Sequence, residues 1–331
     1  MMAKLLTVAL LAGATAFAGT YNNSFDSSTI TGATPNGTGT YNGATWLPVV
    51  QDGKLMLTPN VGSIYGSLIL NDLDAGFPVE SFNAQFQLRF GPGSGDAADG
   101  FAFVFGPDLG QNSTFGEDGP GGTSLCVAFD IYNNGGAEAP AIDVRVGSTQ
   151  IAHHPMTKAD MVTSKLEDVV IQLKRNATLT VLYKGQTIFT NVYLPGWSAS
   201  YGLFGFGART GGESCEMDID NVSITTVKAP ATPVVPTITA QPKSITVAEG
   251  NRATFDVGFD GTAPFTFQWT KNGTDIPDAT DHTLTIGPVR FTDNNTKIGV
   301  KISNPSGSVI SADATMTVTA DNTPPTLAAV D

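Results

Sequence analysis

Residues 82–90 read Phe-Asn-Ala-Gln-Phe-Gln-Leu-Arg-Phe, so that Phe82, Ala84, Phe86, Leu88 and Phe90 fall on one face and Asn83, Gln85, Gln87 and Arg89 on the other. A two-residue period of this kind belongs to an extended strand with one wet face. The aromatic row must be covered, so the strand has to lie in a sheet packed against a second layer. Short β-type runs recur around it: Thr20–Phe25, Ala44–Leu47, Lys54–Thr58 and Gly66–Leu70 before it, Lys165–Leu173 and a hairpin turned at Lys184-Gly185 after it. The chain carries 37 Gly and 20 Pro in 331 residues and no sustained helical periodicity, so the expectation is all-β, with two stacked antiparallel sheets.

Function is expected to sit in Ala97 to Val144. Two apolar runs, Phe101–Phe105 and Leu125–Ile131, are bracketed by carboxylates and glycines, which reads as two neighbouring strands with acidic loops at one end. Net charge is −13, and it is uneven: residues 19–228 hold 10 Lys and Arg against 20 Asp and Glu, while 237–320 hold 6 against 8. An acidic surface repels phosphate backbones and argues against a nucleic-acid partner. It is compatible with calcium.

Three motifs carry a resemblance. Ala98-Asp99-Gly100 before an apolar strand, then Val127-Ala128-Phe129-Asp130-Ile131-Tyr132-Asn133-Asn134, then Phe204-Gly205-Phe206-Gly207-Ala208-Arg209-Thr210-Gly211-Gly212 closing with Asp220-Asn221-Val222-Ser223-Ile224, resemble in order the binding loops and last strand of the L-type (legume-type) lectins and their bacterial relatives. The resemblance implies a concanavalin A-like jelly-roll β-sandwich over residues 19–227. It implies that Asp99 accepts hydrogen bonds from two adjacent sugar hydroxyls, a task suited to a carboxylate because both oxygens are acceptors. It further implies a cis Ala98-Asp99 peptide, backbone amides from Gly121 or Gly122 completing the grip, and a specificity loop running from Ala208 through Arg209 and Thr210 to Gly211. Tyr132 or Phe115 would stack on a sugar face. For metal, it implies calcium held by Asp130, the Tyr132 carbonyl and Asn134, with Glu138 nearest to the family's second aspartate. The family's glutamate two residues before Asp130 is Ala128 here, and no histidine follows at the expected place, so no transition-metal site is expected.

Elsewhere the residues themselves are informative. Residues 1–18, with Lys4, an apolar run from Leu5 to Phe17 and small residues at Ala16 and Ala18, read as a secretory signal peptide, and no later run has the length of a membrane span. The cysteines, Cys126 and Cys215, form an even pair that in an exported protein suggests a disulfide; two unpaired buried thiols are the alternative. His153 and His154 are expected in a solvated loop before Pro155. Residues 228–236 hold three prolines and read as a semi-rigid linker. Residues 237–320 resemble a bacterial immunoglobulin-like sandwich, with Trp269 as its buried tryptophan and Val257 and Val300 where antibody domains place cysteines. Residues 321–331 are expected to be a tail or the start of a further repeat.

The expectation is a secreted or cell-surface, non-catalytic protein recognising an extracellular polysaccharide or glycoconjugate, with further cell-surface or self-assembly partners open. The alternatives are a structural or adhesive surface protein using the sandwich for protein contacts and, third, a glycan-active enzyme. Retaining glycosidases need two carboxylates about 5 Å apart. The strand around Asp130 lacks both glutamates that the related endo-glucanases place there.

Overall fold

The computed structural model describes residues 19–94, 96–135 and 138–320. The expected signal peptide and tail lie outside the described residues. The chain divides into two compact units: one holds the residues up to Leu173 with Thr180–Val192 and Ala199–Pro230, the other Ala231 onward with Lys174–Leu179 and Tyr193–Ser198. Among the described residues helix is confined to Lys158–Met161 and a 3-10 turn at Phe291–Asp293.

The first unit is built on two sheets. A seven-stranded sheet runs in the order Thr149–Pro155, Ala141–Val146, Leu125–Asp130, Gly100–Gly106, Leu203–Arg209, Tyr65–Leu70, Ala33–Thr38. The eight-stranded sheet runs Gln186–Tyr193, Thr178–Tyr183, Glu167–Leu173, Val79–Ser94, Ser214–Lys228, Lys54–Thr58, Val49–Gln51, with Thr20–Asn23 also paired to Ser214–Lys228. The alternating row behaves as its period demands: Phe82, Ala84, Phe86, Leu88 and Phe90 are buried, and the residues between them are partly exposed. Phe82 and Phe86 meet Phe101, Phe103, Phe105, Phe204 and Phe206 of the facing sheet with ring centroids 5.2–6.0 Å apart. This aromatic layer is the core between the sheets.

The other face of the seven-stranded sheet is covered too. Ala102, Val104, Cys126, Ala128 and Ile69 form a second buried cluster with Leu109 and Phe115, which come from the long segment after Gly106. The Phe-Gly-Phe-Gly pattern at 204–207 serves both faces at once. Its phenylalanines enter the core, while a Cβ on Gly207 would lie 2.4 Å from the Phe115 ring and one on Gly205 3.0 Å from it. Phe115 therefore belongs to this packing and is 3% exposed; the expectation that it stacks on a sugar is corrected.

Two other expectations are corrected here. His153 and His154 lie in the strand Thr149–Pro155, opposite Asp143 and Ile142, and His153 Nδ1 is 2.7 Å from Asp143 Oδ1. The apolar Ala141–Val146 strand recruits them as a partner, which outweighs the turn signal of Pro155. Cys126 and Cys215 are both free and buried. Cys126 packs in the outer cluster and Cys215 Sγ approaches the Ala98 carbonyl at 3.6 Å, so the two thiols serve different layers. Burial pushes both up to about 12, which leaves them as unreactive thiols.

In the second unit, Thr266–Lys271 and Thr296–Asn304 pair antiparallel at the centre of a six-stranded sheet. Trp269 is fully buried opposite Val300, and its Nε1 donates to the Asp281 carbonyl at 2.9 Å. Val257 and Val300 are buried, so this core is closed by packing.

Candidate functional site

Antiparallel register brings the first two motifs together. Gly100 lies opposite Asp130 and Phe105 opposite Leu125, so the residue before one strand and the turn after the other share an end of the sheet. The Ile131 amide donates to the Asp99 carbonyl at 2.9 Å, which ties the two loops directly. On its other side the strand Gly100–Gly106 pairs with Leu203–Arg209, placing Arg209 opposite Gly100, and the Asp99 amide donates to the Arg209 carbonyl at 3.0 Å. The Ala98-Asp99 peptide is cis.

These three elements surround a polar cleft of about 590 Å³, with Asp99, Tyr132, Asn134, Arg209, Thr210 and Glu213 among the residues lining it. Asp99 is its floor. The carboxylate is nearly buried, with Oδ2 3.0 Å from Arg209 Nε. Burial raises its pKa while the adjacent guanidinium pulls it down. Gly211 closes over it: a Cβ there would lie 2.8 Å from Oδ2 and 3.0 Å from Oδ1. Gly211→Ala is therefore expected to displace the carboxylate and leave the fold intact. Ligand affinity should fall roughly tenfold, with a stability change under about 1 kcal/mol in urea unfolding.

The fold changes three further assignments. Gly121 and Gly122 are at the opposite end of the strands. The segment 107–124 climbs the sheet through Leu109 and Phe115, reaches the cleft end at Glu117, and returns with Gly119 against Cys126. Gly122 then packs on the Asp108 carboxylate, which also accepts from the Thr123 amide at 2.7 Å. Ala208 is fully buried, because the strand continues through Arg209 and its alternation points Ala208 inward with Phe204 and Phe206. Thr210 lines the cleft, but its hydroxyl donates to the Val61 carbonyl at 2.6 Å and accepts from the Ile64 amide at 3.1 Å. It pins the neighbouring loop.

Other residues at this end went unread in the sequence. Thr38, Ser63 and Tyr65 come from the first seventy residues and line the cleft, Thr38 and Tyr65 by pairing with each other across two strands and Ser63 by donating its amide to the Gly211 carbonyl at 2.9 Å. Glu117, 3% exposed, sits behind Arg209 with Oε1 2.5 Å from Nη2. Nothing local marks it, since its place depends on how the long segment folds back.

The turn after Leu125–Asp130 gathers hard oxygen donors. Asp130 Oδ1 accepts from the Tyr132 amide at 3.0 Å, and Glu138 Oε1 accepts from the Asn134 amide at 2.9 Å, which folds both carboxylates into one turn. Burial pushes Asp130 up to about 6 against the hydrogen bond from the Tyr132 amide; Asp118 and, more weakly, Glu138 add repulsion, and Arg145 pulls the other way. Among the described residues no three His, Cys, Asp or Glu side chains form a cluster able to hold a metal ion. The donor set is two carboxylates, the Asn134 amide oxygen and the Tyr132 carbonyl. All are oxygens, as a hard cation such as calcium prefers.

A family model for the immunoglobulin domain matches residues 235–304. No curated protein matches the chain. Among solved structures, peanut lectin with a nine-residue peptide is similar at 20% identity and a TM-score of 0.50, over 65% of this chain and 100% of that chain. The lectin from Bauhinia forficata in complex with GalNAc is 16% identical with a TM-score of 0.49, over 64% of this chain and 99% of that chain. The exoplasmic/lumenal domain of VIP36 in a Ca2+/Man3GlcNAc-bound form is 17% identical with a TM-score of 0.43, over 61% of this chain and 88% of that chain. Such identities speak to the fold: the chain is a legume-lectin-type β-sandwich followed by an immunoglobulin-like domain.

Proposed function

We propose that the protein binds carbohydrate without transforming it, outside the cell, and that the cleft around Asp99 is where a sugar sits. One observation carries this reading: loops from three distant parts of the chain converge so that Asp99, Tyr132, Asn134 and Arg209 line one polar cleft. A fixed carboxylate with an amide and an aromatic edge beside it suits a diol on a pyranose ring. The leader-like residues 1–18 support export. Against turnover stands the chemistry of the strand, where Ala128 offers no carboxylate to pair with Asp130.

Calcium would be held by Asp130, the Tyr132 carbonyl, Asn134 and Glu138. Bound there, it would supply charge that offsets two carboxylates and stiffens the turn presenting Asn134. Glycan-array screening followed by titration of the best ligand, with calcium and with chelator, tests both statements. Binding is expected to weaken reversibly in chelator. Calcium at 100 times its Kd is expected to stabilise the first unit by about 2.7 kcal/mol. A chain that binds no glycan under either condition is not a lectin. Hydrolysis of a β-glucan that disappears in Asp130→Asn would make it an enzyme.

A further inference from the structure

Resting on that reading of the cleft, a second question is what holds Asp99 in place. Arg209 touches three groups at once. Its Nε lies 3.0 Å from Asp99 Oδ2, its Nη2 donates to Glu117 Oε1 at 2.5 Å, and its Nη1 donates to the Tyr65 hydroxyl at 3.5 Å. The contacts differ in kind. Nε is buried and makes no aligned hydrogen bond among the described residues, so Asp99 is held by charge and position, whereas the Glu117 contact is a short, charge-assisted hydrogen bond. The segment carrying Glu117 is shaped around the arginine: a Cβ on Gly116 would lie 2.7 Å from Arg209 Cβ. Glu117 itself is out of a ligand's reach, with Oε2 buried and lacking a hydrogen-bond partner among the described residues.

We infer that Arg209 is the positioning residue of the sugar site: pulled from behind by Glu117, its guanidinium holds the Asp99 carboxylate at the cleft floor, so that glycan affinity follows the charge on a glutamate that never touches the glycan. With Glu117 ionised, one guanidinium serves two carboxylates, and Asp99 keeps most of its strength as an acceptor. With Glu117 protonated, the positive charge falls on Asp99 alone and the rear attachment loosens. Both effects weaken sugar binding.

The switch falls in an accessible range. Burial pushes Glu117 up to about 7; Arg209 opposes the rise, while Asp118 and Asp99 add to it. Those are the charged groups facing it: Arg209 from Leu203–Arg209, Asp99 from the start of Gly100–Gly106, and Asp118 on its own segment. Tyr65, from Tyr65–Leu70, shares the same guanidinium.

The test is calorimetric titration of the full chain with the methyl glycosides of mannose, galactose and glucose, from about pH 5.5 to 8.5 at fixed calcium, for wild type, Glu117→Gln and Arg209→Lys. Circular dichroism checks the fold of each. Wild-type affinity is expected to rise roughly three- to tenfold across the range, because one pKa unit of coupling corresponds to a factor of ten. Glu117→Gln keeps the acceptor without the charge, and its affinity is expected to be flat and below wild type above about pH 7, where Asp130 no longer titrates. Arg209→Lys keeps the charge without the fork, and is expected to lose about tenfold at every pH. If Glu117→Gln follows the wild-type profile, or Arg209→Lys binds as wild type does, the link is overturned while the sugar site stands. A wild type that binds none of the glycosides at any pH overturns both.

Discussion

Asp99→Ala is expected to abolish glycan binding, with a loss of at least about 100-fold, while circular dichroism and the unfolding midpoint stay close to wild type. Two hydrogen bonds to a charged acceptor contribute about 1.5–3 kcal/mol each, and 1.4 kcal/mol is a factor of ten. The fold should survive because the ties at this position are made by the main chain: the Asp99 amide to Arg209 and the Asp99 carbonyl to Ile131. The alanine variant also leaves Arg209 paired with Glu117 alone, so Asp99→Asn is the better-matched companion. It keeps the volume and one acceptor oxygen and replaces the other with a donor, and it should lose at least roughly tenfold. Surface plasmon resonance on an immobilised glycan measures both. An Asp99→Ala variant that binds as tightly as wild type would place the sugar elsewhere.

Phe103→Ala is expected to have the largest effect on stability, about 3–5 kcal/mol, from lost apolar transfer together with the cavity left behind. Phe103 is fully buried and its ring lies 5.6–6.1 Å from those of Phe82, Phe86, Phe204 and Phe206, so four neighbours on two sheets lose a partner at once. The core cannot collapse around the gap without shortening the spacing of the sheets. Urea unfolding followed by two probes separates the units. The transition of the first unit should move to lower denaturant, and the one reported by Trp269 fluorescence, read in a background with Trp46 and Trp197 replaced by Phe, should not. Equal movement of both transitions would mean that the two units unfold as one.

Some of this was legible from side chains alone. The alternation at 82–90 can only be a half-buried strand, and the two-residue turn at Lys184-Gly185, with φ of 56° and 74°, is what a tight hairpin requires. Asp99 and the turn that begins at Asp130 could be singled out because the motifs that resemble the lectin loops are short runs of sequence. The second tryptophan-centred core could be placed for the same reason, from the resemblance carried by Phe267-Gln268-Trp269.

What stayed hidden depends on distant pairing. Gly121 and Gly122 look in sequence like neighbours of the site, yet the return of segment 107–124 carries them to the far end of the strands and delivers Glu117 in their place. The resemblance puts Ala208 in the specificity loop, but pairing with the neighbouring strands keeps it in strand. The two cysteines could have been a bridge or two thiols, and only their placement on different sheets, in different layers of packing, decides for thiols. Thr38, Ser63 and Tyr65 carry no local mark of a site.

Periodicity by itself determined that this chain is all-β, and the order of its motifs, through their resemblance to lectin and immunoglobulin-like domains, determined that it carries two cores and which carboxylates are candidates for a ligand. Which end of the sandwich each loop reaches, and that one arginine clamps Asp99 to a buried glutamate, were decided only by the tertiary structure. The physical reason is that strand alternation is a property of neighbouring residues, whereas a cleft is made by register between strands more than a hundred residues apart, and register answers to the whole core at once.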